Sequence, residues 1–543
     1  MPILNADILH ILIAELLSND KASGPSSLLS ISSTSRAFRE SCLPHLFAEV
    51  HWPHKRKHDP QAGLHFFPES IWPHIRHFRL QWPDEWTEPN RLRWGEMDRE
   101  GGYTPRNLEK FVLAISKMPK LTTLSLTCPF TPPQSIFEAL SDCRSLTTLT
   151  FIDTPLDMGM SSLQPGILRR ASLTPVTQAL RIGDGPTEPK FAEVTYFMRD
   201  WRRRYRSQII IRQARELRAS ASFLGLHSAY LTHLELSGVL CSLPVMAALH
   251  WPALHTFVLT GHMRTSHHTH EFGPVTQTHI QLFDVLDRMP VLRDLRLLFP
   301  ETKTREFQLL GDVDAHPPEQ RVLTKLASLT SFAVSNACKL DGIFNYMTSL
   351  ERLAILAIID LPRWPIALPH AEVGRIMGDI AASGCPLRHL RIIVEDNLTP
   401  AVCYFITTNC PKLEVLEIER CGYHDGKSVS TWQEFADAIS PLSALQNLRI
   451  CMQFPEYDDM DGLEPWRVVR EDCARFFVKE LKSLRRVGFE YRKRTGTHRY
   501  QDAWLDYSVV RGGGGSGSVP ELHQLGSLWY PFPAVWQPVP LPF

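Results

Sequence analysis

The sequence predicts an α/β repeat protein, in which short strands alternate with amphipathic helices and stack into one parallel sheet. Two observations predict this fold class. A short apolar pattern, Leu-x-x-Leu-x-Ile, recurs along most of the 543 residues, and helical apolar stripes with side chains at i, i+3 and i+4 lie between its copies. A doubly wound α/β domain would instead carry continuous apolar strands and a Gly-rich phosphate-binding turn, and the sequence shows neither.

The strand pattern is clearest from Leu413 to Ile418. Leu416 and Ile418 are two residues apart, so a strand places both on one side, while Leu413 enters from the preceding turn. One such strand cannot bury its apolar side alone, so it needs neighbours. Twelve copies, mostly 21 to 46 residues apart, begin at Ile75, Leu121, Leu146, Leu231, Leu254, Leu292, Leu329, Leu350, Leu387, Leu413, Leu445 and Leu484. Residues 179–182 form a degenerate further copy.

The segments between the strands predict helices. Residues 106–118, 279–289, 372–381 and 431–439 each place apolar side chains on one helical face. The whole pattern resembles an irregular leucine-rich-repeat protein, nearest to the type with Cys-Pro-x-Leu at its turns, as in Cys410-Pro411-Lys412-Leu413. The resemblance implies a right-handed solenoid with its parallel sheet on the concave face and its helices outside.

Composition narrows the function classes. The chain has 43% hydrophobic residues, and 58 basic residues balance 58 acidic ones. The chain therefore has no net positive charge that would favour nucleic acid or an anionic membrane as a partner. Eleven scattered cysteines favour a reduced compartment, so we expect cytoplasmic or nuclear localisation. The N-terminus shows no secretory signal, and no apolar run approaches transmembrane length.

Residues 1–50 differ from the repeats and predict three short helices. Asn5 is a good helix N-cap ahead of an apolar stripe, and Pro44 ends the last apolar run. The segments Leu4–Leu12, Leu28–Arg39 and Cys42–Val50 resemble the F-box, although Asn5 stands where the family usually has proline.

The F-box resemblance implies docking to the Skp-family adaptor of a cullin ubiquitin ligase. The residues that it makes candidate adaptor contacts are Leu4, Ile8, Leu9, Leu12, Leu28, Leu29, Leu43 and Leu46. The alternative is that several of these leucines only hold the small helical core together, because burial and interface look identical in a sequence.

The spacing of the strand pattern predicts the remaining domain boundaries. Residues 51–70 are predicted as a linker or cap, and residues 71–494 as the solenoid, with an insertion at 155–230. Residues 495–543 are predicted as a flexible linker and a Pro/Trp-rich tail, whose aromatic residues could instead cap the last repeat. The insertion carries an Arg-rich helical segment near Trp201 that could bind an acidic partner or pair with the chain's own acidic surface.

No constellation of catalytic residues stands out. The sequence has no Gly-x-Ser-x-Gly elbow, Walker-type loop, His-Glu-x-x-His or Cys-x-x-Cys pattern. The histidines between His262 and His270 lack the flanking ligands of a zinc site, and Cys143, Cys385 and Cys410 are expected to be small buried groups. We therefore predict no enzyme activity, no cofactor and no metal.

The sequence thus predicts a substrate-recognition subunit of an SCF-type ubiquitin ligase, whose repeats bind a substrate protein. The polar side chains that alternate with the buried strand positions are candidate substrate contacts: Arg79, Glu235, Arg296, Arg391, Glu417, Glu419, Arg449 and Glu490. Two alternatives stay open. One is an intracellular leucine-rich-repeat scaffold without a ligase role, and the other is an enzyme built on the insertion.

Overall fold

A computed structural model describes most of the repeat region and part of each end. The described residues are 13, 24–53, 69–81, 108–128, 131–152, 154–174, 194–261, 282–299, 306–307, 319–337, 339–356, 367–395, 397–420, 430–452, 454, 463–496, 499–511, 520–525 and 528–529. The chain divides into two compact units. Unit 1 comprises residues 1–254 and 263–291, and unit 2 comprises residues 255–262 and 292–543.

Unit 1 alternates helices and short strands. Its elements are α1 (Gly24–Ser32), α2 (Arg36–Leu46), β1 (Glu49–Pro53), β2 (His77–Gln81), α3 (Leu108–Ser116), β3 (Thr123–Thr127), α4 (Gln134–Ser141), β4 (Thr148–Ile152), β5 (Arg170–Thr174), α5 (Val194–His227), β6 (His233–Ser237), α6 (Leu243–Ala248) and α7 (Leu282–Leu286). Two 3₁₀ segments, Glu69–His74 and Met158–Ser162, also belong to this unit.

The strands β1 to β6 pair in parallel, each with the next along the chain. Phe78, Leu124 and Leu149 are direct cross-strand partners and are buried. The ring of Phe78 meets that of Phe111 on α3, with 5.6 Å between centroids. Each such buried side chain contributes about 2–3 kcal/mol of hydrophobic stabilisation, which one strand could not gain alone.

Unit 2 repeats the same alternation over a longer stretch. Its elements are β7 (Thr256–Thr260), β8 (Asp294–Leu298), β9 (Glu306–Phe307), α8 (Gln320–Ala327), β10 (Ser331–Ser335), β11 (Lys339–Leu340), β12 (Arg352–Leu356), α9 (His370–Ser383), β13 (His389–Val394), α10 (Pro400–Asn409), β14 (Val415–Arg420), α11 (Trp432–Ile439), β15 (Asn447–Ile450), α12 (Leu463–Glu480), β16 (Arg486–Gly496), β17 (Arg499–Val510), β18 (Glu521–Gln524) and β19 (Leu528–Trp529). A 3₁₀ segment spans Gly342–Tyr346.

The sheet of unit 2 is parallel from β7 through β8, β10 and β12 to β16. Leu353, Leu390, Leu416 and Leu448 stand opposite one another in register and are buried. The predicted strand pattern is therefore confirmed at these positions, and parallel strands alternate with helices as in a leucine-rich-repeat-like array.

The C-terminal edge of this sheet departs from the sequence expectation. Residues 499–510, assigned from the sequence to the flexible tail, form β17, which pairs antiparallel with β16. β18 and β19 then pair antiparallel with β17. Leu505 and Tyr507 on β17 are buried beside Phe489 and Val487. A pattern of parallel repeats does not predict this strand, because it runs antiparallel to β16 and covers its open edge.

The predicted helices are observed as α3, α7, α9 and α11, with ends shifted by a few residues. Thr431 caps α11 in a reciprocal capping box with Glu434. Within the predicted insertion, the Arg-rich segment is the helix α5, and β5 supplies a strand that the pattern missed. Residues 179–182, proposed as the degenerate copy, lie outside the described residues.

Candidate protein-binding surfaces

The N-terminal hairpin of α1 and α2 has a small core. Leu28, Cys42 and Ile13 are buried together, with Ile31 and Leu46 packed against them. Ser35 caps α2 by accepting a hydrogen bond from the Phe38 backbone N–H. A core this small adds little stability alone, and α2 also contacts the 3₁₀ segment Glu69–His74.

The candidate adaptor contacts therefore fall into different environments. Leu28 and Leu46 serve the hairpin core, Leu43 is half-buried, and Leu29 is 63% exposed. Leu4, Ile8, Leu9 and Leu12 lie outside the described residues. The hairpin thus presents Leu29 to solvent although its neighbour Leu28 closes the core, as expected for consecutive positions on a helix.

The sheet of unit 1 has a polar surface on the side away from the helices, which we call the unit 1 face. On this face the direct cross-strand partners are Arg79, Ser125, Thr150, Ser172 and Glu235, one from each of β2 to β6. All but Ser172 are half-buried, so the row is partly open to solvent. The burial of β3 and β4 alternates strictly, with apolar side chains inside and, apart from Ile152, hydroxyl side chains outside.

The two charged ends of this row have few internal partners. The Ser172 hydroxyl donates a 2.8 Å hydrogen bond to the Glu235 carboxylate. Arg79 makes no ion pair with another described residue, and its Nε is buried without a hydrogen-bond partner. A cation and an anion therefore stand at opposite ends of a row of hydroxyl groups.

The corresponding surface of unit 2, the unit 2 face, is closed. Arg391, Glu417, Arg449 and Gly488 are direct cross-strand partners on β13 to β16. Arg391 is 2% exposed and Glu417 is 5% exposed. Beside them lies a buried apolar cluster of Val258, Leu298, Ala333, Ala354, Leu356, Ala367 and Ile393.

The charged side chains on the unit 2 face pair with one another, two arginines with three carboxylates. Arg391 Nη2 lies 2.7 Å from Glu419 Oε1, and Arg391 Nε lies 3.5 Å from Glu417 Oε2. Arg449 binds Asp506 through two hydrogen bonds of 3.0 and 2.7 Å and also approaches Glu417 at 3.5 Å. Paired in this way, none of the five ionisable side chains is an isolated charge in this largely buried region.

Gly488 makes the pairing of Arg449 with Asp506 possible. A Cβ atom at position 488 would overlap the carboxylate of Asp506 and lie 3.0 Å from Arg449 Cγ. The Arg449 guanidinium also lies over the Trp504 ring, 5.6 Å from its centroid. Sequence reasoning missed Asp506 and Gly488, although a glycine inside a strand is a known sign of close approach.

The eight candidate substrate contacts thus differ in their burial and in their ion pairing. Arg391, Glu417 and Glu419 are buried in internal ion pairs, so their side chains offer a partner no open surface. Arg296 pairs with Asp294 at 2.6 Å, and Arg449 pairs with Asp506. The side chain of Glu490 lies outside the described residues. Arg79 and Glu235 remain partly exposed, and their role as contacts stays a prediction.

Two observations on the described residues concern metal binding and thiol chemistry. Among them, no group of three or more histidine, cysteine or acidic residues could hold a metal ion. Burial raises the pKa of Cys143 to about 11 and that of Cys410 to about 12, which disfavours a nucleophilic thiolate. The segment 262–270 with its histidines is not among the described residues.

Two further features of the described chain bear on partners. On α5, Arg212 pairs with the buried Glu216 at 3.5 Å, so part of the Arg-rich helix is neutralised internally. Within the described part of the chain, no helix is both long and apolar enough to cross a membrane.

Comparisons with known proteins give no family. No family model and no curated protein matches the chain. Among solved structures, the chain is similar to the complex of Rad7 and Elc1 in yeast, with 10% identity over 78% of this chain and 92% of that chain and a TM-score of 0.35. It is also similar to the TLR13–ssRNA13 complex, with 12% identity over 73% of this chain and 49% of that chain and a TM-score of 0.31. Both TM-scores are too low to carry a conclusion about fold or function.

Proposed function

We propose that this chain is a protein-binding adaptor, whose N-terminal hairpin docks a Skp-family adaptor of a cullin ligase and whose repeats bind a substrate protein. The observation that carries the proposal is the position of Leu29. It is 63% exposed, whereas its neighbour Leu28 is buried in the core of the hairpin, and it lies within the F-box-like stretch. An exposed leucine is suited to bind a partner surface when the opposite face of its helix is packed in a core.

The chain would act by bringing molecules together. Holding a substrate lysine near a ubiquitin-conjugating enzyme raises its effective concentration, and this chain would not touch the reacting bonds. The unit 1 face is the surface proposed for the substrate, because its charged ends are not neutralised by ion pairs among the described residues.

A capture experiment with matched variants tests the adaptor role. The intact chain, Leu29→Asp and Leu113→Asp would each be incubated with a purified Skp-family adaptor. Leu113 is also an exposed helical leucine, 49% exposed on α3, and is the control. We expect Leu29→Asp to weaken capture at least about tenfold, because burying an unpaired carboxylate at an interface costs more than about 1.4 kcal/mol. Leu113→Asp should bind like the intact chain.

Thermal unfolding of the three proteins separates docking from folding, since both substitutions lie at exposed positions and should leave the melting temperature unchanged. Equal capture by all three proteins would contradict a docking role for Leu29. Failure of the intact chain to capture the adaptor would favour the scaffold alternative. One observation favours that alternative: β1 directly follows α2 and pairs with β2, so the hairpin also serves as a cap of the sheet.

A further inference from the structure

We propose that the unit 1 face binds an extended segment of a partner protein that carries an acidic residue at the Arg79 end and a basic residue at the Glu235 end. The proposal rests on the protein-binding function proposed above and specifies its substrate class. It requires no ligase role, because the proposed binding surface lies on the sheet of unit 1.

The register of the strands sets the spacing between the two charges. Arg79 and Glu235 stand in one transverse row, separated by the strands β3, β4 and β5. Four steps between neighbouring strands, of about 4.8 Å each, place their backbones about 19 Å apart. An extended peptide advances about 3.3 Å per residue, so its two charged residues would be about six positions apart.

The charges of Arg79 and Glu235 determine which end of the bound segment is acidic and which is basic. Arg79 has no carboxylate partner among the described residues, and its Nε is buried without a hydrogen bond. An acidic side chain that reaches the partly exposed guanidinium of Arg79 would supply its missing counter-charge. Among the described residues, Glu235 accepts a hydrogen bond from the neutral Ser172 hydroxyl and forms no ion pair, so its charge is available to a lysine or arginine of the partner.

The middle of the row suits a peptide backbone. Ser125 and Thr150 are half-buried, and neither side-chain hydroxyl is hydrogen-bonded to another described residue. Both side chains are short, so a backbone can approach the sheet closely. Hydroxyl groups donate and accept, and can therefore meet N–H and C=O groups of any partner sequence. The row thus specifies charge and spacing more strongly than the identity of the intervening residues.

An array of synthetic peptides tests this specificity on the full chain. Each peptide carries one Glu and one Lys in a Ser/Thr/Val background, separated by about two to about nine positions and in both orders. We expect the signal to peak at a spacing of about six positions. Arg79→Glu and Glu235→Lys should each lower the peak about tenfold, because each places like charges together.

Charge reversals away from the row provide the controls. Arg144→Glu lies in an exposed turn, and Glu138→Lys lies on the exposed side of α4. They change the net charge as Arg79→Glu and Glu235→Lys do, yet should leave the peak in place. The double variant Arg79→Glu/Glu235→Arg should restore the peak with peptides of the same spacing and reversed order, which general destabilisation could not produce.

A signal independent of spacing, or unaffected by the reversals at positions 79 and 235, would overturn the proposal. So would tighter binding of a single-stranded RNA probe that is lost in Arg79→Glu and strengthened in Glu235→Lys, because this face would then bind a polyanion. The capture experiment with Leu29→Asp tests the ligase role independently of the peptide array. A failed array with intact adaptor capture refutes only this inference, and the converse result refutes only the ligase role.

Discussion

The unit 1 face and the unit 2 face are built on the same strand pattern but differ in what covers them. On unit 1, hydroxyl side chains such as Ser125 and Thr150 stay half-buried between Arg79 and Glu235. On unit 2, β10 is buried along its full length, and β13 and β14 along all but one residue. Charged residues alternate with apolar ones on both units. A charged residue that alternates with apolar ones can therefore be assigned to a side of the sheet, but its exposure to solvent cannot be predicted. Arg391 and Arg79 both lie on the side away from the helices, yet Arg391 is buried and Arg79 is partly exposed.

Replacing the equivalent arginines would test the difference most directly. Arg391→Leu should lower the free energy of unfolding by about 3–5 kcal/mol, because Glu419 and Glu417 would lose a buried counter-charge. Arg79→Leu should change it by less than about 0.5 kcal/mol, because no ion pair with a described residue is lost. Denaturant unfolding of both variants measures the two values. Equal losses would show that the faces do not differ as described.

The glycine beneath the Arg449–Asp506 pair gives a second, smaller contrast. Gly488→Ala should destabilise the chain by about 2–3 kcal/mol, because the new methyl group displaces the Asp506 carboxylate from a buried pair. Gly378→Ala is the control, since no atom lies within 4 Å of an added Cβ there. In the middle of α9 that change should stabilise the chain by about 0.5–1 kcal/mol. Equal effects of the two substitutions in thermal unfolding would contradict the close approach at Gly488.

A buried histidine on the helix side of unit 1 should make stability depend on pH. Burial lowers the pKa of His227 from 6.5 to about 4, and neither ring nitrogen has a hydrogen-bond partner. Because this pKa is below that of the unfolded chain, the unfolded chain binds the proton first as the pH falls. Stability from this group is complete above about pH 6.5 and is lost progressively towards pH 4. Between pH 7 and pH 5 the loss is about 2 kcal/mol.

Denaturation midpoints of the intact chain and His227→Leu across this range measure the effect. The variant should lose less stability on acidification than the intact chain. His250→Gln, at an exposed position in the same unit, should follow the intact chain. Parallel pH profiles for the intact chain and His227→Leu would show that His227 does not carry the dependence.

Much of the repeat architecture could be predicted from local sequence. Leu416 and Ile418 lie two residues apart and both are buried, as their spacing requires. Helices α9 and α11 follow from apolar stripes in the same way. The strand β17 could not be found by that pattern, because Leu505 and Tyr507 are buried by pairing with a strand that runs in the opposite direction. The split between Leu28 and Leu29 also depends on tertiary packing, because Leu28 is buried against Cys42 and Ile13.

By itself, the sequence determined where the twelve strands of the repeated pattern and four of the helices lie, because a two-residue or 3.6-residue period of apolar side chains is a local property. It also determined which polar residues share the side of the sheet away from the helices. Only the tertiary structure decided which of those residues form ion pairs with one another. Arg449 meets Asp506 across 57 positions of sequence, and no local pattern specifies a pair that forms only when separate strands are brought into register. The same assembly left Arg79 and Glu235 without such partners among the described residues, and the proposed binding surface follows from that difference.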